Sequence, residues 1–246
     1  MGGCAFAGDD TALKARGVLK DRGEAVVTVR LVMKEGFSFA SGSEQDESKT
    51  ETTGTVIGSD GLTVVSLSEA DPSDLYNDLL DDFNSDGGGA PMVYQSEVSD
   101  VKIILASGKE LQGTIALRDK DLDLAFIRPV EKPSEPLAYL DLASDATPEL
   151  LDTVLVLDRL GRSTDWSLHA GIARLEAHIT KPRSYYVLDR GGLGSPALTL
   201  EGKVVGIMLS RTVQSDEEYD SLSSSMAEGM VLPAAEIRAV AKQAGE

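Results

Sequence analysis

The most constraining stretch of this chain is Arg190-Gly191-Gly192-Leu193-Gly194-Ser195-Pro196-Ala197, with the apolar runs at 198–200 and 203–209 behind it. Glycines at 191, 192 and 194 free the backbone for a tight, exposed bend. The two apolar runs are joined by Glu201-Gly202 and read as a hairpin. A glycine-rich bend leading into a hairpin presents one residue at the rim of a cleft, and the bend and hairpin need a β scaffold to hold them.

Strand signals recur along the rest of the chain. A β-rich run covers 25–33, and the Ser59-Asp60-Gly61 turn joins 54–58 to 62–65. Further runs at 98–105, 111–117 and 122–128 precede an interval with prolines at 129, 133, 136 and 148. That interval reads as a linker whose segment 137–142 contacts the first half of the chain. Strands resume at 153–157, 166–176, 184–188 and 226–232. Helical patterns are confined to 10–22, with Asp10 as N-cap, and to 234–242 after Pro233. Residues 34–53 are rich in Gly, Ser, Glu and Lys and read as an extended strand connection or a mobile loop.

Charge and cysteine usage exclude several functions. With 41 Asp plus Glu against 23 Lys plus Arg the formal charge is -18, which disfavours nonspecific attraction to nucleic acid or anionic lipid. One cysteine, Cys4, allows no intrachain disulfide framework. No uninterrupted apolar run is long enough to cross a bilayer, so integral membrane association is not expected. Ala5-Phe6-Ala7 before Gly8 matches the small-residue pattern at a processed secretory leader, although the charged and apolar parts of a complete signal are missing. Three places before Cys4 stands Met1 in place of the branched aliphatic residue usual before a lipid-acceptor cysteine, so lipid anchoring is the minor reading.

Four of these segments together resemble the chymotrypsin-like serine proteases, most closely the HtrA/Deg branch. The nucleophile motif of that branch, Gly-Asn-Ser-Gly-Gly-Pro, falls on Gly191, Gly192, Leu193, Gly194, Ser195 and Pro196. Its Thr-Asn-x-His-Val segment falls on 65–69, with Ser68 at the histidine position, and its Arg-Asp-x-x-x-Asp-Leu-Ala segment falls on 118–125, with Asp123 at the carboxylate position. The final helix matches 234–242. The resemblance covers about residues 24–243 and implies an all-β fold of two orthogonal, antiparallel, six-stranded barrels of trypsin-like type with a C-terminal helix. It divides the chain into an N-terminal segment or leader remnant (1–23), a first barrel (24–135) with an acidic insertion at 70–100, and a second barrel with the helix (136–246). An exported, periplasmic or extracytoplasmic location also follows from it.

The same resemblance implies that the catalytic machinery is missing. Leu193 has no hydroxyl with which to attack a carbonyl, and the Ser68 hydroxyl cannot serve as a base near neutral pH. Asp123 alone keeps its residue type. The expected function is a catalytically inactive protease homologue that binds a protein or peptide in the cleft between the barrels. Two alternatives stay open: a diverged serine hydrolase using Ser195 or Ser68, and an exported structural domain.

Other features carry less. Asp82, Asn84, Asp86 and Gly87 have the spacing that opens a calcium loop, but the closing acid would fall on Val93. An acidic solvated loop is the favoured reading and calcium the minor one; no other cofactor is expected. His169 and His178, the only histidines, have no cysteine or acidic partners that complete a zinc set. The acidic cluster Asp216, Glu217, Glu218 and Asp220 reads as an exposed loop.

Overall fold

A computed structural model describes residues 10–39, 42–73, 76–77, 80–81, 84, 92–212 and 227–244. The turn at 59–61 shows how local sequence sets its geometry. Gly61 takes φ +90, its amide donates to the Gly58 carbonyl at 2.9 Å, and the Leu62 amide donates to Asp60 Oδ1 at 3.3 Å. A β-carbon at position 61 would lie 2.7 Å from Pro129 Cγ, so glycine is needed for both conformation and space. This turn joins β2 to β3 and begins closure of a barrel.

The first barrel comprises β1 (Val26–Phe39), β2 (Gly42–Val56), β3 (Thr63–Ser66), β4 (Val93–Ile104), β5 (Glu110–Asp119) and β6 (Leu124–Pro129), closed in the order β1-β2-β3-β6-β5-β4. The second comprises β7 (Thr153–Arg159), β8 (Leu168–Ile179), β9 (Tyr185–Leu188), β10 (Pro196–Thr199), β11 (Val204–Thr212) and β12 (Ala227–Pro233), closed in the order β10-β11-β12-β9-β8-β7. All ladders between these strands are antiparallel. The molecule is therefore two orthogonal six-stranded barrels of trypsin-like type, with α1 (Asp10–Arg22) before them and α2 (Ala234–Ala244) after.

Each barrel has its own interior. Val27, Val29, Leu31, Val65, Ile103 and Ile127 fill the first, and Val154, Ala173, Leu175, Ala197, Met208 and Val231 fill the second. A third apolar cluster joins them. It combines Val64, Leu124 and Phe126 from the first barrel with Leu155, Leu198, Ile207 and Leu232 from the second, and it includes Val18 of α1 and Ile237 and Val240 of α2. The proline-rich linker adds Leu140 and Leu142, tied down by Leu137 N donating to Ser59 O at 3.0 Å and Leu140 N to Val56 O at 2.9 Å. Burial of this shared cluster fixes the barrels against each other, so the groove between them has firm walls.

The strands around 34–53 and before 98 extend further than periodicity predicts. β1 pairs with β2 as far as Phe39 with Gly42, and β4 starts at Val93 by pairing with Ser38. Beyond Met33 the described ribbon residues are mostly exposed or half-buried, apart from Tyr94, which is buried against Phe37, so apolar alternation fades while the backbone ladder continues. β8 begins at Leu168, two residues later than expected. Trp166 precedes it at φ 48, its Nε1 donating to Glu51 Oε2 at 2.9 Å and its ring lying 5.6 Å from the Arg30 guanidinium.

Candidate functional site

Asp123 sits at the entrance to β6, in the left-handed region at φ 57 and only 8 % exposed. Ser66, at the end of β3, donates its hydroxyl to Asp123 Oδ2 at 2.6 Å. The Ser68 amide, in the helical turn Leu67–Ala70, donates to Oδ1 at 2.7 Å, and the Ser210 amide of β11 donates to Oδ2 at 2.7 Å. The Ser66 and Ser68 hydroxyls are 2.9 Å apart. One carboxylate thus holds β3, the helical turn and the second barrel together. Burial pushes its carboxyl above the ordinary aspartate range, and the bonds from Ser66, Ser68 and Ser210 oppose that rise. Sequence reasoning singled out Asp123 and Ser68, and they are hydrogen-bonded to each other.

The bend at 191–196 belongs to the second barrel but docks on the first. Thr55 of β2 donates its hydroxyl to the Gly194 carbonyl at 2.9 Å. Gly194 has φ +78, and a β-carbon there would fall on the Thr53 carbonyl oxygen, well inside contact distance. The Gly194 amide donates to Met208 O at 2.7 Å, and Met208 N donates to Ser195 O at 2.9 Å. Gly191 lies against Met208, and Pro196 opens β10 opposite Ile207. Leu193 is half-buried and packs on the apolar interior of the second barrel. Ser195 is fully buried, and its hydroxyl has no hydrogen-bond partner.

Leu193 and Gly192 also form one side of a cleft of about 180 Å³ between the barrels, whose polar walls include Thr28, Thr52, Thr53, Glu69 and Asp158. Thr52 donates its hydroxyl to Glu69 Oε2, and Thr53 donates to Asp158 Oδ1. Burial pushes the Glu69 carboxyl above the usual glutamate range; the Thr52 bond opposes this, and the charges of Asp158 and Asp123 add to it. Arg159 borders the cleft, but its guanidinium donates to the carbonyls of Val26 at 2.8 Å and of Trp166 and Gly23 at 3.1 Å each. Glu69 and Asp158 were not singled out from the sequence. They are far apart in the chain, and only the β2 threonines between them show that they share a cleft.

The remaining candidates do not assemble. Asp82 and Asp86 lie outside the described residues, and Asn84 uses its side chain to bond the Met92 backbone at 2.9 and 3.0 Å. His178 is exposed, stacks on Tyr186 and pairs with Ser184 Oγ at 3.0 Å, while exposed His169 faces Asp158 across the β7–β8 ladder. No group of three or more His, Cys, Asp or Glu suited to a metal occurs among the described residues. Cys4, the pattern at 5–7 and the cluster at 216–220 lie outside those residues. No described helix is long and apolar enough to cross a membrane.

Two closed barrels, a glycine-rich bend from the second docked on the first, and a carboxylate at the seam define a protein of the trypsin-like peptidase class. The comparison with known families agrees: the chain belongs to the trypsin-like peptidase domain family, which matches residues 52–207. No curated protein matches the sequence.

Proposed function

We propose that this chain is a catalytically silent trypsin-like protein of HtrA/Deg type that holds a protein or peptide segment in the cleft between its barrels. Ser68, Asp123 and Leu193 take the triad positions in this reading. The observation that carries it is what meets Asp123. Its Oδ2 accepts from the Ser66 hydroxyl at 2.6 Å, and the Ser66 and Ser68 hydroxyls are 2.9 Å apart. Neither hydroxyl can serve as a base near neutral pH, so in this reading the carboxylate has no imidazole to orient.

The residue at the proposed nucleophile position supports the same conclusion, because Leu193 contributes packing to the second barrel. Loss of chemistry leaves the groove in place, and an extended segment still has backbone groups and side-chain walls to meet there. The serine hydrolase alternative requires Ser195 to act as nucleophile, and its buried, unpartnered hydroxyl argues against that role. An exported structural domain makes no use of the cleft.

A peptide-array screen followed by titration tests the proposal. Gly161 lines the cleft at φ -70, and a β-carbon added there meets nothing within 4 Å, so Gly161→Trp plugs the groove without straining the backbone. Peptides from the array are expected to bind the wild type and to lose binding to Gly161→Trp. Failure of every peptide, or binding untouched by the plug, refutes the proposed role.

A further inference from the structure

Consecutive residues of a strand point to opposite sides, and β2 uses this to hold two acids at once. Thr52 reaches Glu69 in the first barrel, and Thr53 reaches Asp158 in the second. The two carboxylates face one cleft, close enough for the charge of Asp158 to act on Glu69. Among the described residues no cation pairs with either of them. Arg159, the basic residue on the cleft wall, spends its guanidinium on three backbone carbonyls. Arg30 pairs with Glu51 and Glu110 at 3.0 Å each, so the third acid of the cleft, Glu51, already has its partner. His169 faces Asp158 across the ladder but makes no ion pair with it. Two uncompensated carboxylates in a half-buried cleft raise the cost of leaving it empty and attract positive charge.

A second observation points to the same place. Thr28 lines this cleft and is 3 % exposed, and its hydroxyl has no hydrogen-bond partner. A buried hydroxyl without a partner is costly unless a ligand supplies one. Thr28 shares the wall of this cleft with Glu69 and Asp158, and its unpaired hydroxyl is an acceptor that a donor pressed against that wall would satisfy. A planar guanidinium, which carries five N–H donors in a fixed fork and no acceptor, suits a site made of two carboxylates and a hydroxyl. A bare metal ion suits it less, since the described acids do not form a group able to hold one.

We propose that the cleft receives the guanidinium of an arginine side chain on the bound protein or peptide, with Glu69 and Asp158 as its carboxylate partners and Thr28 as an additional acceptor. The proposal rests on the peptide-holding reading above and names the side chain that anchors the segment. It also gives the acids beside Leu193 a role: they select a basic partner.

The test is a titration of the ¹⁵N-labelled full chain, followed by amide chemical shifts. The probes are acetyl-Gly-Arg-Gly-amide, its citrulline twin and acetyl-argininamide. Citrulline keeps the shape of arginine and removes the charge. The arginine peptide is expected to bind about tenfold more tightly than the twin, as loss of a partly buried charge pair would give. Shifts should centre on 52–53, 69, 158–161 and 192–193. The preference should fall to within about twofold in Glu69→Gln/Asp158→Asn and should weaken with salt. Equal affinity of the twins for the wild type overturns the arginine site. If array peptides bind in the cleft without this preference, the arginine site fails and the peptide-holding reading stands. If acetyl-argininamide binds beside Glu69 and Asp158 while no extended peptide does, the site stands and the peptide-holding reading fails.

Discussion

Replacing Asp123 measures how far this carboxylate has become a structural part. Asp123→Ala removes the acceptor for the Ser66 hydroxyl at 2.6 Å and for the Ser68 and Ser210 amides at 2.7 Å each. At about 1 kcal/mol for each orphaned donor, the low end of the usual range, the loss is roughly 3 kcal/mol. Alanine at φ 57 adds about 1 kcal/mol of backbone cost, giving a total near 4 kcal/mol. Asp123→Asn keeps one acceptor oxygen and tolerates the left-handed conformation, so it should cost about 2 kcal/mol. Urea unfolding followed by far-UV circular dichroism, with an unchanged slope, reads both values.

The pH dependence of the same variants carries a sign. The folded chain raises the Asp123 carboxyl above its ordinary value, so it binds this proton more tightly than the unfolded chain does. Wild-type stability from this group therefore increases as pH falls through the folded value toward the ordinary one. The gap between wild type and Asp123→Asn should widen over that interval. An Asp123→Ala cost below about 1 kcal/mol, or equal costs for the two variants, would refute the structural role.

Gly194→Ala is expected to cost more than about 3 kcal/mol in urea unfolding, because a β-carbon meets the Thr53 carbonyl and φ +78 disfavours any side chain. A shallow loss would mean that the bend does not dock on β2 as described. Glu69→Gln should stabilise the chain at neutral pH by on the order of 1 kcal/mol, the scale of one like-charge contact in a half-exposed cleft. The Glu69 carboxyl is raised in the folded state, so this advantage should shrink as pH falls through that raised value. Thermal melts of both proteins between pH 4 and 8 measure it, and an advantage that grows with acid contradicts the sign.

Turns and buried strands were legible in the sequence because their chemistry is local. Gly61 and Gly202 take positive φ where Asp-Gly and Glu-Gly announce a turn, and the apolar runs of β6 and β11 are buried as their composition predicts. The ribbon beyond Met33 takes the strand form of the two readings open for 34–53, and its mostly polar, exposed or half-buried residues left little periodicity to fix its length. Asp123 and Ser68 stood out through a resemblance, but the Ser210 amide that completes the tie comes from the other barrel and has no sequence signature. Glu69 and Asp158 were hidden for the same reason. Each is an ordinary acid in a chain of charge -18, and only closure of both barrels brings them to one cleft.

Catalytic silence is the central claim, and intact-mass spectrometry after treatment with a serine-directed diaryl phosphonate tests it most directly. That reagent transfers its phosphorus to an activated serine hydroxyl with loss of an aryloxide, a reaction that requires a deprotonating partner. The wild-type chain is expected to keep its unmodified mass and to hydrolyse casein no faster than buffer. Ser195→Ala should behave identically, since the Ser195 hydroxyl is fully buried without a partner. A stoichiometric adduct and casein turnover in the wild type, both abolished by Ser195→Ala, would contradict the account.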